Sequence, residues 1–392
     1  LLLEWPGESP EMGAILLMSH FDVVPVEAST LEQWSQRPFG GQIDETYVWG
    51  RGTLDCKHGV MAILEAITLL HTAGFQPQRT IYVALGHDEE LGGSEGNRKI
   101  AEWMRSRGLR LQMIVDEGGC IFTEFPGLDR PAALVGVAEK GYMTVKLSVD
   151  MEPSELGHAS MPPRETAVSI LATAVRRVQA HPFPARLDGP LREMLKFLGP
   201  EMPSLASRVA MSNLWLCGPL VKRRLGATPS GNALLRTTVA PTMIDGGVKP
   251  NVLPAHASAT FNLRLLPGDS VDDALAHLQQ AIGDARVQVH SLPPTTAASA
   301  VSPVDSPEFG QLQRTIGEVF PDVVVAPFVL VGSTDTVHYS DLCENIFRFI
   351  PTRLGERDTQ RFHGINERLG RENYLEILRF FHRLLENVAG HR

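Results

Sequence analysis

Three short apolar runs end in the same way, and this repetition constrains the fold more than any other feature of the chain. Ala14-Ile15-Leu16-Leu17-Met18 leads into Ser19-His20-Phe21-Asp22, and Ile81-Tyr82-Val83-Ala84-Leu85 into Gly86-His87-Asp88-Glu89-Glu90. Met113-Ile114-Val115 leads into Asp116-Glu117-Gly118-Gly119. β-rich runs of this length, bounded by polar residues and glycine, read as buried strands. Laid parallel in one sheet, their tips open onto a single crevice, the usual ligand site of open α/β sheets. His20, Asp22, Glu89, Glu90 and Asp116 then share one edge, a set of metal ligands with a general base to spare.

The segments around these runs support an α/β unit. From His58 to Gly74 the apolar residues Met61, Ile63, Leu64, Ile67 and Leu70 recur at three- and four-residue steps and stop at a glycine, which predicts an amphipathic helix. With a strand before it and the 80–85 strand after it, this is a βαβ pattern. The end of the chain repeats the theme, with strand-like Ile346–Ile350 followed by helical spacing over Arg371–Val388. The middle reads differently: strand 141–150, helix 165–178, strands 234–244 and 256–265, helix 271–282 and strand 286–292. That βαββαβ order is the ferredoxin-like unit, inserted into the α/β domain. The boundaries expected are a first catalytic part over 1–138, an inserted α+β lid over 139–292 with an extra apolar segment at about 187–232, and a second catalytic part over 293–392. Pro293-Pro294 and the small residues to Ala300 mark the return linker.

Composition narrows the function classes. A net charge of −9 without a basic block argues against nucleic acid as a partner. Cys56, Cys120, Cys217 and Cys343 have no regular spacing and read as thiols, not a disulfide frame. No apolar stretch approaches membrane-spanning length, so a soluble enzyme is expected. Leu1 already looks like strand, which leaves any secretion signal out of view and the compartment unassigned.

Each acidic tip has its own chemistry. His20 and Asp22 are two apart on a strand and leave from one face, so Asp22 can orient the His20 ring as a partner, not a ligand. Asp55 sits in Gly50-Arg51-Gly52-Thr53-Leu54-Asp55-Cys56-Lys57, a loop that opens onto a helix, where a carboxylate can bridge two metals. Of the neighbours Glu89 and Glu90, one can bind metal while the other takes a proton from water. Asp116 is the expected third carboxylate ligand and Glu117 a solvated loop acid. His363, in Phe362-His363-Gly364, is the candidate second imidazole.

Taken together, His20-Phe21-Asp22-Val23-Val24-Pro25, Gly50-Arg51-Gly52-Thr53-Leu54-Asp55, Asp88-Glu89-Glu90, Asp116-Glu117-Gly118-Gly119 and His363-Gly364 resemble, in order and spacing, the motifs of two-zinc amidohydrolases and metallopeptidases. That family includes carboxypeptidase S, aminoacylase and glutamate carboxypeptidase. The likeness covers nearly the whole chain and is strongest to the carboxypeptidase S and N-fatty-acyl-amino acid synthase/hydrolase branch, through Gly86–Glu90, Val115–Gly119 and Gly247-Val248-Lys249-Pro250-Asn251-Val252.

The resemblance implies that His20 and Asp116 bind one zinc, Glu90 and His363 the other, that Asp55 bridges them and that Glu89 is the general base. It also implies a cis peptide after Asp55. Cobalt or manganese would suit the same N/O donors. Gly157-His158-Ala159-Ser160 resembles the lid motif whose histidine stabilises the oxyanion. Arg264, with Asn262 or alternatively Asn232 or Asn251, resembles the clamp for a substrate carboxylate, and Gly332-Ser333-Thr334-Asp335 a loop receiving the same group. The implied activity is hydrolysis of an amide beside a free carboxylate, in an N-acyl amino acid or a short peptide. The apolar lid segment points to a long acyl chain. In dimeric members the lid histidine comes from the partner subunit, and an enlarged lid can replace that partner, so both homodimer and monomer remain open.

Overall fold

The computed structural model describes residues 1–391. In chain order the strands are β1 (Leu2–Trp5), β2 (Ala14–His20), β3 (Tyr47–Trp49), β4 (Ile81–Gly86), β5 (Leu111–Asp116), β6 (Cys120–Phe122), β7 (Ala132–Glu139) and β8 (Gly141–Asp150). They continue as β9 (Thr238–Gly246), β10 (His256–Leu265), β11 (Val287–Thr296), β12 (Val324–Leu330), β13 (Ile346–Arg348), β14 (Arg353–Leu354) and β15 (Arg368–Gly370). The α-helices are α1 (Lys57–Thr72), α2 (Asn97–Ser106), α3 (Ala167–Ala180), α4 (Gly189–Leu198), α5 (Leu205–Ser212), α6 (Leu214–Leu225), α7 (Pro229–Leu235), α8 (Val271–Ile282), α9 (Pro307–Val319) and α10 (Arg371–Ala389).

The chain forms two units. The first comprises Leu1–Ala138, Pro190–Leu214 and Val301–Arg392, and the second Glu139–Gly189 and Trp215–Ala300.

In the first unit a mixed sheet runs in the order β1-β4-β2-β5-β13-β7-β6-β14, with β12 also paired to β7. The three runs that opened the sequence analysis are its adjacent strands β4, β2 and β5, and β2 is parallel to both neighbours. Their side chains alternate between two cores, as a period of two requires. Ile15, Leu17, Val83, Met113 and Val115 join Ile63 and Ala66 of α1 and the aromatic residues Phe380 and Phe381 of α10. Leu16, Met18, Ala84 and Ile114 turn the other way, toward Ala101 and Met104 of α2. Both faces are therefore covered, which explains why the runs are continuously apolar. Burying each of the larger of these side chains stabilises the unit by about 1.5–3 kcal/mol.

The second unit is a four-stranded antiparallel sheet in the order β11-β8-β10-β9. With α3 after β8 and α8 after β10, this is the βαββαβ unit that the sequence leads one to expect. Phe261, Leu263 and Leu265 of β10 pack against Ile170 and Leu171 of α3 and Leu278 of α8.

Three expectations need correction. Residues 190–214 belong with the first unit, because Leu191, Met194, Leu195 and Leu198 of α4 are buried and the Phe197 ring stands edge-on to Phe309, 5.9 Å away. The strand expected from 234 starts at Thr238, since Leu234 and Leu235 end α7, a helix begun by the Thr228 cap and Pro229. Pro293-Pro294 lies inside β11 as a cis pair, so the return to the first unit comes at Val301, later than expected.

Candidate dinuclear metal centre

Five segments of the first unit bring their donors together. His20 ends β2, and Asp55 precedes α1 through a cis Asp55–Cys56 peptide. Glu89 and Glu90 follow β4, Glu117 follows β5, and His363 lies in the loop before β15. The first turn of α1 approaches the tip of β2 so closely that a Cβ at Gly59 would lie 2.6 Å from both Ser19 Oγ and Ile350 Cδ1, so a larger residue would force those side chains to shift. The N-terminus of that helix, with its partial positive charge, stands immediately after Asp55 and favours its carboxylate.

Asp55 is the hub. His20 Nε2 lies 3.0 Å from its Oδ1 and His363 Nε2 lies 3.1 Å from its Oδ2. Glu117 Oε1 is 3.7 Å from His20 Nε2, and Glu90 Oε1 is 3.3 Å from His363 Nε2. The donor atoms fall into two groupings that share Asp55: His20, Asp55, Cys56 and Glu117 in one, and Asp55, Glu90 and His363 in the other. Asp22 supports both. Its backbone and side-chain oxygens lie 3.2 and 3.3 Å from His20 Nδ1, and its Oδ2 accepts the Glu90 N–H at 3.1 Å. Glu89 stands beside the hub with Oε2 4.0 Å from His20 Nε2, outside both groupings.

Of the two adjacent acids expected at this tip, Glu117 and not Asp116 lies with the other donors. No grouping of donors among the described residues contains Asp116; Glu117 stands there instead. Strand parity supplies the reason. Met113 and Val115 face the core that holds α1, so Glu117 continues toward the Asp55 turn, whereas Asp116 follows Ile114 to the opposite face. Its charge is felt there by the Tyr339 phenol. Counting residues from the strand would have revealed this.

The electrostatics fit a cation pair. Burial, followed by the surrounding acids, pushes Glu117 well up and also raises Glu90. Glu89 is pushed up to about 9, by burial first and then by Asp335, Glu90 and Asp55 against the opposing pull of His20. Burial alone would raise Asp55 and lower His20, yet hydrogen bonds from the two imidazoles hold Asp55 down, and Cys56, Asp55 and Glu117 hold His20 up. Glu90 Oε1 and Asp22 Oδ1 are buried and accept no well-formed hydrogen bond, each having only an imidazole nitrogen 3.3 Å away. Acids this crowded around two imidazoles, with carboxylate oxygens short of hydrogen bonds, match what one or two divalent cations neutralise.

Because burial and the neighbouring acids raise the proton affinity of Glu90 and Glu117, and Cys56, Asp55 and Glu117 hold His20 toward its charged form, cation binding should release protons. Affinity should therefore rise as pH increases from neutral, with net proton release seen by calorimetry in buffers of different ionisation enthalpy. Proton-neutral binding, or affinity that falls with pH, would contradict this electrostatic picture.

The remaining expected residues are placed as follows. In the second unit, exposed His158 turns Nδ1 to Ser160, 2.8 Å from its Oγ and 3.1 Å from its backbone N–H. Asn262 and Arg264 share the face of β10 turned from its core, with the Arg264 guanidinium 5.0 Å over the Tyr142 ring. In the first unit Ser333 is exposed, whereas Thr334 is buried and accepts the Thr336 N–H at its hydroxyl. Sequence reasoning missed Glu117 as a donor, and Arg51 and Glu367 as supports. Arg51 donates to Glu367 at 2.6 Å, and both are buried.

Among the described residues no helix is long and apolar enough to cross a membrane. The model of peptidase family M20/M25/M40 matches residues 16–387. The chain is 44% identical to a probable carboxypeptidase S-like 2 of Dictyostelium discoideum, covering 99% of this chain and 74% of that protein. It is 39% identical to the N-fatty-acyl-amino acid synthase/hydrolase PM20D1 of Mus musculus, covering 97% and 75%. Among solved structures, the M20 family metallo-carboxypeptidase Sso-CP2 of Sulfolobus solfataricus superposes with a TM-score of 0.68 at 17% identity, covering 99% of this chain and 87% of that one. That last likeness concerns the fold alone. The chain therefore belongs to peptidase family M20/M25/M40, among its carboxypeptidase S-like metallopeptidases and amidohydrolases.

Proposed function

We propose that the protein hydrolyses an amide bond beside a free carboxylate, with an N-acyl amino acid carrying an apolar acyl group as substrate. The observation that carries this reading is the pair of donor groupings joined by Asp55, with Glu89 alongside and in neither. His20, Asp55 and Glu117 would hold one divalent cation, and Asp55, Glu90 and His363 the other; zinc fits this donor set, as do cobalt and manganese. Bound there, the cations supply Lewis acidity to the scissile carbonyl and acidify water to a pKa of about 7.

The chain's own residues do the rest. Glu89 takes the proton of the attacking water and returns it to the departing amine, a role supported by its place beside the hub and outside both donor groupings. Asp22 holds the His20 ring through Nδ1. By the motif resemblance alone, His158 takes the role of stabilising the developing oxyanion. Arg264, with Asn262 beside it, receives the substrate carboxylate; Ser333 contributes as a surface donor, while Thr334 acts by capping its own loop.

Phe21 is 43% exposed and Leu91 86%, and they directly follow His20 and Glu90 in the chain. Large apolar side chains left open next to the donors support an apolar acyl group. The similarity to PM20D1 points the same way, and the similarity to carboxypeptidase S-like proteins favours peptides as the second reading. Turnover of an N-oleoyl amino acid and of a blocked dipeptide by the cation-loaded enzyme decides between them. The expected ratio of kcat/KM is about tenfold or more in favour of the oleoyl compound, since each methylene in an apolar pocket contributes on the order of 1 kcal/mol. A dipeptide preference rejects the acyl reading, and silence toward every amide in the presence of two bound cations rejects catalysis.

A further inference from the structure

Glu367 has an unusual number of partners for a side chain that is fully buried. Its Oε1 accepts the backbone N–H of Gly52 at 2.9 Å, of Leu54 at 2.8 Å and of Asp55 at 3.3 Å. Its own carbonyl accepts the Gly50 N–H at 3.0 Å. Its Oε2 accepts from Arg51 Nη1 at 2.6 Å, and the same guanidinium donates through Nη2 to the carbonyl of His363 at 3.1 Å. One buried ion pair thus grips the loop that presents Asp55 and, through its other arm, the residue that presents the second imidazole.

The two cation groupings depend on this grip unequally. His20 ends β2 and Glu117 directly follows β5, so the parallel sheet aims both. His363 lies in a loop, with φ +56°, a left-handed conformation that a side chain other than glycine adopts only when its surroundings hold it. Arg51 supplies that hold at the His363 carbonyl. We propose that Glu367 and Arg51 are positioning residues whose buried pair locks the Asp55 loop to the His363 loop and sets the affinity of the cation held by Asp55, Glu90 and His363. This rests on the dinuclear reading of the site.

The test is calorimetric titration of the cation-free full chain with zinc, repeated with cobalt so that its absorption reports coordination at each step. Glu367→Gln keeps the shape and one acceptor but removes the charge that holds Arg51; Arg51→Lys keeps a charge near Glu367 but lacks the second arm to His363. In both variants the second equivalent should weaken by about 10- to 100-fold, the usual cost of losing an outer hydrogen bond at a metal site, and the first by clearly less, because it shares only Asp55 with the clamp while the second also relies on the His363 loop. A second equivalent that binds as in wild type, or an equal loss at both steps, overturns the clamp. Should Glu367→Gln fail to fold by circular dichroism, Arg51→Lys decides alone. Wild-type protein that takes up fewer than two equivalents fails the dinuclear reading itself, a result separate from failure of the clamp.

Discussion

Replacing Glu89 with Gln is expected to remove turnover and leave both cations bound. Glu89 stands outside the two donor groupings, so the substitution takes no ligand from either. On the proposed reading it removes the carboxylate that carries a proton from water to the leaving amine, and Gln, nearly the same size, cannot accept that proton. A positioned general base contributes about a hundred- to ten-thousand-fold in rate, and kcat should fall by that order with little change in KM. Metal analysis of the same preparation completes the test. An undiminished rate would mean that another group is the base, and loss of a cation together with the rate would mean that Glu89 is a ligand.

Asp55→Ala is expected to do the reverse, abolishing turnover because the cations leave. Asp55 is the only residue common to both groupings, and each of its oxygens faces one imidazole. Without it, two histidines lose their shared partner while Glu89, Glu90 and Glu117 remain crowded in a buried space. Affinity for both equivalents of zinc should fall beyond the roughly 100-fold that loss of an outer hydrogen bond costs, since here a direct ligand is gone. The fold should survive, because α1 and the sheet are held by their apolar faces and not by Asp55. Retention of two tightly bound zinc ions by Asp55→Ala would show that the carboxylate is not shared.

Much of this site was legible because strand period and tip position are local properties. β2, β4 and β5 could be recognised from their apolar content, and a parallel arrangement then gathers His20, Asp22, Glu89 and Glu90 on one edge. His363 was reached through a motif resemblance, since a histidine in a loop carries no periodicity of its own. The sequence points to Asp116 while the geometry groups Glu117 with the donors, because residue type alone does not tell which face of a strand end each of two adjacent acids occupies. Arg51 and Glu367 stayed hidden for another reason: their pairing joins positions separated by most of the chain, and nothing in either local segment announces it. The span 190–214 failed similarly, as helical spacing reveals that α4 has an apolar face but not which core receives it.

The central claim is that Asp55 joins two cations held by His20 with Glu117 and by Glu90 with His363. Anomalous diffraction at the zinc edge, from crystals of wild type and of Asp55→Ala grown with zinc, tests it most directly. The expected map has two wild-type peaks, each within bonding reach, about 2.0–2.2 Å, of an Asp55 oxygen, and neither peak in the variant. A single wild-type peak, a pair without Asp55 between them, or a peak bound by Asp116 in place of Glu117 would contradict it.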